Sequence, residues 1–234
     1  ETVKVVEVTP YRTEGSYSDK RRPDTVSFHA TLADDLKRRD FTINAIAYDE
    51  SIGHSKGHHK GHIIDPYAGI KDIKDKVVRT VGDPHDRFNE DALRLLRAVR
   101  LSTELGFMIS HETQEAISKN ALHLKEIAVE RIRDEFNKIV MSREPMVGII
   151  MCEKLGLLGH FLPELQKGNS VKQNGDHIYA VWEHNLRALQ HAADRAWPLH
   201  VRLSALFHDI SKPETRRWSE EKNDWTFYGH DVVG

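Results

Sequence analysis

Residues 89–106 read NEDALRLLRAVRLSTELG, and their periodicity sets how the rest of the chain is organised. Apolar side chains recur at Ala92, Leu95, Leu96 and Val99, the spacing of one buried helical face. Asn89 stands where a helix cap is wanted, Glu90 and Asp91 place negative charge in the first turn, and Gly106 supplies a stop. The reading is one helix over 89–106 with Glu90, Arg94 and Arg97 on a second face, and Asp91 three residues before Arg94. An acid and a guanidinium held side by side can read a base edge, the acid accepting from an exocyclic amine and the arginine donating to a ring nitrogen or carbonyl. The bland alternative is a helix laced with exposed ion pairs worth about 0.3–0.5 kcal/mol each.

Downstream, the helical character continues in HETQEAISKNA, EIAVERIRDEFNKIVMS and PMVGIIMCEKLG. It then loosens into a linker around 166–176 and resumes in AVWEHNLRALQHAADRA and LHVRLSALFHDISK. Upstream, TVKVVEVTPY carries a β signal, RTEGSYSDKRRPD reads as a loop, and VSFH, HIIDPY and VVRTVG read as short strands. Thr31 and Asp34 in TLADD form a capping pattern for a short helix, while FTINAIAYD mixes helix and strand signals.

Composition narrows the function classes. The 234 residues hold 39% hydrophobic and 30% charged side chains with a net charge of -2, which suits a folded chain and argues against nucleic acid binding over the whole surface. Basic patches remain at Lys20, Arg21 and Arg22, at Lys37, Arg38 and Arg39, and along Arg94, Arg97 and Arg100. One cysteine, Cys152, excludes an intrachain disulfide and a cysteine zinc cluster. With no long apolar run and no signal-peptide pattern at the start, a cytoplasmic protein without a membrane segment is expected. Histidines 54, 58, 59 and 62, within a glycine- and lysine-rich stretch, read as a loop.

Two further segments carry chemistry. In RRDFTINAIAY, Arg38 and Arg39 offer forks for phosphate, Asp40 a carboxylate for a sugar hydroxyl or for orienting those arginines, and Asn44 a donor and an acceptor. A charged helix edge with local ion pairs explains the same residues. In WEHNLRAL, ALFHDISKPE and FYGHD, His184 lies on one helix and His208 with Asp209 on another, a ligand set suited to a divalent metal once the helices pack. Ordinary helix histidines are the competing reading.

The ordered motifs VEVTPYR, RTEGSYSDKRRPD, RRDFTINAIAYD, DPYAGIKDIKDKVVRTVGDPHDRFNEDALRLLRAVR and ERIRDEF together resemble the bacterial class II nucleotidyltransferases, the tRNA CCA-adding enzymes and poly(A) polymerases. The resemblance covers about residues 1–165. It implies that Arg38, Arg39, Asp40 and Asn44 hold the incoming nucleotide and its ribose. Glu90, Asp91, Arg94 and Arg97 are implied to be an amino-acid template, with Asp91 and Arg94 reading the base. Asp65, Tyr67, Gly69 and Asp72 fall in what resembles the flexible connection of head to neck. Glu130, Arg131 and Arg133 fall in the neck motif that supports the template helix.

The family's Gly-Gly segment and paired DxD carboxylates for two magnesium ions do not occur in this sequence. Glu7 stands where the family has a further catalytic acid, so these 234 residues alone are expected to be inactive in nucleotide addition. The intact protein is expected to add CCA to tRNA 3′ ends from CTP and ATP with Mg2+, a lean that RTEGSYSDKRRPD supports. A poly(A) polymerase, a phosphohydrolase and a binding-only fragment are the alternatives.

The histidine and aspartate set resembles the HD superfamily of metal-dependent phosphohydrolases. That resemblance implies His184, His208, Asp209 and additionally His230 as ligands for Ni2+, Mn2+ or Mg2+, with Lys212 near phosphate and Ser211 where the family commonly has Gly. The expected fold is α+β: a partial nucleotidyltransferase head over 1–75, a helical neck with the nucleotide-selecting helix over 76–165, and a partial all-helical HD domain over 177–234. Oligomeric state is not encoded in any of these patterns.

Overall fold

The computed structural model describes residues 8–15, 25–28, 30–49, 61–173 and 178–234. Glu7, the basic patch at 20–22 and histidines 54, 58 and 59 lie outside them. So does most of the opening strand; its described end, Val8–Pro10, carries no strand. The architecture is α+β, with helices dominant and, among the described residues, strands in four two-stranded ladders. These pair β1 (Thr13–Glu14) with β2 (Val26–Ser27), β3 (Ala47–Asp49) with β4 (His62–Ile64), and β7 (Arg217–Ser219) with β8 (Asp224–Thr226), all antiparallel. The fourth pairs β5 (Val77–Val78) with β6 (Met108–Ile109) in parallel.

Helix α1 (Leu32–Lys37) starts on the expected capping box, Thr31 accepting from the Asp34 amide while Asp34 accepts from the Thr31 amide. The ambiguous FTINAIAYD resolves into a 3-10 turn, Thr42–Asn44, followed by β3. Helix α2 (Gly69–Asp75) packs on that turn, so the segment that resembles the connection of head to neck is helical from Gly69 onward. Asp65 accepts from the amides of Gly69 and Ile70, and buried Asp72 accepts from Thr42 Oγ1 at 2.7 Å. Gly69 is required there, because a Cβ would come within 2.2 Å of the Thr42 carbonyl oxygen.

The single helix expected over 89–106 is two helices, α3 (Pro84–Glu90) and α4 (Leu93–Leu105). Asp83 caps α3 and Pro84 fills its first position, so the start signal lies upstream of Asn89, which falls in the last turn of α3. Asp91 breaks the pair: its backbone is extended (φ -147°, ψ 104°) and its carboxylate accepts from the Leu93 amide, the local competition that short acids offer a helix. Gly106 ends α4 in the left-handed region at φ 67°, as expected.

Below the break the helices stack: α5 (His111–Asn120) on α3, and α4 against both α6 (Val129–Met141) and α7 (Pro145–Lys154). The described part of the expected linker at 166–176, up to residue 173, begins in α8 (Pro163–Lys167) and a 3-10 turn with buried Gly168. Helix α9 (Val181–Asp194) packs on α7 and on α10 (Leu199–Phe207), which in turn rests on α6. One apolar core therefore runs from Phe41 through Leu95, Leu96, Ile139 and Ile149 to Leu186 and Leu206. Each such side chain removed from water contributes about 1.5–3 kcal/mol.

Past α10, α11 (Lys212–Thr215) leads into the β7–β8 hairpin, which the polar sequence concealed. Its cross-strand pair Trp218–Trp225 meets edge to face at 5.5 Å between ring centroids. The described chain ends in α12 (His230–Val233).

Candidate functional site

The α3–α4 break and the C-terminal end of α1 face each other across a polar cavity of about 470 Å³. Arg38, Arg39, Asp40, Asn44, Asp91, Arg94 and Arg97 all line it, joined by Leu93 and Arg131. Of the eight nucleotide-site residues expected from sequence, Glu90 alone is absent from the wall. Its carboxylate is engaged behind it, one oxygen with Arg87 and the other with Arg94.

Asp35, and not Asp40 as expected from sequence, orients Arg38 and Arg39. It is 3% exposed and accepts from Arg38 Nε at 3.1 Å and from Arg39 Nε and Nη2 at 3.2 and 2.7 Å. Asp40 instead takes Arg97 Nε at 2.8 Å on one oxygen, and Asn44 Nδ2 at 3.0 Å with the Phe41 amide at 2.9 Å on the other. Burial works to raise the Asp40 carboxyl, but the Arg97 charge and these hydrogen bonds outweigh it and hold it below its ordinary range.

Asp91 and Arg94 both line the cavity, Asp91 from the break and Arg94 from the first turn of α4, and not from one continuous helix. Arg131 grips Asp91, while Arg94 donates to the carbonyls of Arg87 at 3.1 Å and Arg38 at 3.2 Å. The resemblance places Arg131 in the motif that supports the template helix; its particular partner, Asp91, 40 residues earlier in the chain, is given by the structure. The cavity thus presents cationic forks at one side and an acid with a guanidinium at the other, the donor set for a triphosphate and a base edge.

A second cluster forms where α9 meets the end of α10. His184 Nε2 lies 3.0 Å from His208 Nε2 and 3.6 Å from Asp209 Oδ2, and His208 Nε2 is 3.3 Å from that oxygen. An ion with bonds of about 2.1 Å in a tetrahedral shell holds its ligand atoms about 3.4 Å apart, so the three donors fit one ion. Lys212 Nζ approaches the same Oδ2 at 2.7 Å. His230 stands apart from this trio, its Nε2 3.4 Å from the opposite oxygen, Oδ1. Burial pushes the Asp209 carboxyl upward, yet hydrogen bonds from His208 and Lys212 dominate and depress it strongly. Among the described residues this is the one group of side-chain donors close enough together for a metal ion.

Comparison with known proteins gives these sites a context. Residues 1–79 match the family model for the poly A polymerase head domain, and residues 106–168 match that for the probable RNA and SrmB-binding site of polymerase A. The chain is 50% identical over 219 residues to a CCA-adding enzyme of Leuconostoc citreum, covering 93% of this chain and 50% of that one. It is 46% identical over 159 residues to a CCA-adding enzyme of Anoxybacillus flavithermus, covering 68% of this chain and 38% of that one. Among solved structures, the Bacillus stearothermophilus CCA-adding enzyme in complex with CTP superposes with a TM-score of 0.59 at 31% identity, over 92% of this chain and 54% of that one. The chain spans about 31% to 50% of the length of the curated relatives it matches. No helix among the described residues is long and apolar enough to cross a membrane. By its two family matches and these relatives, the chain belongs to the family of CCA-adding enzymes and poly A polymerases.

Proposed function

We propose that this chain is the nucleotide-selecting part of a cytoplasmic enzyme that adds CCA to tRNA 3′ ends from CTP and ATP. The observation that carries the reading is one cavity lined both by the phosphate-suited Arg38 and Arg39 and by the base-suited Asp91 and Arg94. Cytosine and adenine each present an exocyclic amine, which a carboxylate accepts, beside a ring acceptor, which a guanidinium satisfies. Uracil and guanine turn a carbonyl oxygen toward that carboxylate and are disfavoured. The relatives' names support CCA addition over poly(A) synthesis.

Head residues 1–75, neck residues 76–165 and a unit over 177–234 are the proposed parts of this enzyme. Two-ion phosphoryl transfer needs carboxylates that bridge both magnesium ions, and Glu7 by itself does not fit that requirement. The contribution assigned to the described residues is binding and selection. Incubating the intact protein with CTP, ATP and a tRNA lacking its end tests the proposal. CCA completion is expected; a run of A on unstructured RNA would favour the poly(A) alternative, and no transfer would reject both.

The His184, His208 and Asp209 trio favours a second activity, metal-dependent phosphoester hydrolysis at an HD-type centre, with Lys212, which pairs with Asp209, as the proposed phosphate contact and His230 as a proposed further ligand. Bound there, Ni2+, Mn2+ or Mg2+ would supply an activated water. The chain's own part is to converge two imidazoles and a buried carboxylate on one point. Phosphate release that depends on added metal and on His208 is the test.

A further inference from the structure

The phosphate side of the cavity rests on a helix too short to hold itself. Helix α1 is six residues long, and a helix of that length leaves its last carbonyls without partners and gains little from propagation. Two arginines from the next layer close those carbonyls. Arg87 of α3 donates Nη1 to the Lys37 carbonyl at 3.2 Å, and Arg94 of α4 donates Nη2 to the Arg38 carbonyl at 3.2 Å. Glu90 sits between the two, one carboxylate oxygen on each guanidinium. Both arginine side chains are mostly withdrawn from solvent, at 15% and 11% exposure, so their pairs with Glu90 are less screened than surface pairs, while the Arg87 contact to the Lys37 carbonyl lies at the exposed edge.

Arg94 lines the cavity; Arg87 does not. We propose that Arg87 is a positioning residue that sets Arg38 and Arg39 for the nucleotide's phosphates by tying the end of α1 to α3, with Glu90 as the shared anion aligning Arg87 and Arg94. The inference rests on the cavity being a nucleotide site. It assigns Glu90 a role behind the wall and none toward the base. A lysine at 87 carries the charge but lacks the planar fork that serves Lys37 and Glu90 together.

The test measures binding of CTP and of inorganic triphosphate to the 234-residue chain, alongside its unfolding midpoint, for wild type, Arg87→Ala and Arg87→Lys. Arg87→Ala is expected to weaken both ligands alike, by about tenfold, because the phosphate contacts are displaced and the base contacts are not. Arg87→Lys moves the same way by less, and stands in if the alanine variant does not fold. A role in stability alone would lower the midpoint and leave both affinities unchanged, which overturns the proposal. If the wild-type chain binds neither ligand, the nucleotide reading of the cavity fails. Amide exchange at residues 36–40 then decides the positioning role: faster exchange in the variants supports it, and wild-type exchange overturns it.

Discussion

Arg131 of α6 donates Nη2 to Asp91 Oδ2 at 2.7 Å and Nη1 to Oδ1 at 3.3 Å, so the acid in the break between α3 and α4 is aimed by a helix 40 residues further along the chain. The break frees the Asp91 carboxylate from the helix surface, and the fork fixes where it points. For a base-reading acid, a fixed direction matters as much as its charge.

That arrangement predicts a split between ligands. Asp91→Asn and Arg94→Ala should each weaken CTP by about tenfold or more, the range of about 1–3 kcal/mol for losing a bidentate base contact. Inorganic triphosphate should change less for Asp91→Asn, which leaves Arg38, Arg39 and the ties at the end of α1 in place, whereas Arg94→Ala also releases the Arg38 carbonyl and should weaken both ligands. Isothermal titration of both ligands checks it, and equal losses of the two for Asp91→Asn would count against base reading.

Acid should loosen the site through Asp40. Its carboxyl ionises below the ordinary 3.8 in the folded chain, so as pH falls the unfolded chain takes up the proton first. The stability this group contributes is complete above about pH 4 and is lost as pH drops through the folded value. Urea midpoints followed downward from about pH 5 should fall more steeply for wild type than for Asp40→Asn, whose slope lacks this contribution.

Close packing between the helices of the neck gives a stability prediction. A Cβ on Gly148 of α7 would lie 2.6 Å from Ile139 Cγ2 and 2.8 Å from Thr103 Oγ1. Gly148→Ala should therefore cost about 1–3 kcal/mol through overpacking, despite the better helix propensity of alanine. In a chain of this size that lowers the melting midpoint by about 2–12 °C, readable by thermal unfolding.

The metal trio makes a prediction separable from catalysis. Titrating Mn2+ or Ni2+ into the chain should show one site, and His184→Ala or Asp209→Asn should weaken it more than about 100-fold, since even groups behind a ligand cost about 10–100-fold. His230→Ala should weaken it less, because His230 faces the other carboxylate oxygen.

Burial predicts that Cys152 is chemically silent. With no solvent exposure its thiol is pushed up to about 12, leaving almost no thiolate at neutral pH. A thiol-reactive chromophore should label it only after denaturant is added.

What the sequence determined by itself is local. Thr31 with Asp34 announced α1, Gly106 announced the end of α4, and the 3.6-residue spacing of apolar side chains announced the helices of the neck, because caps, stops and faces are set within a few residues of each other. The motif residues Arg38, Arg39, Asp40, Asn44, Asp91, Arg94 and Arg97 line one cavity. Tertiary structure alone decided how they are aimed. That Asp91 interrupts a helix, that Asp35 and not Asp40 steers the paired arginines, that Glu90 turns away from the cavity, and that Arg131 holds Asp91 all depend on competition between nearby ions for the same partners. The outcome of that competition is set by distances across helices, and spacing along the chain does not contain them.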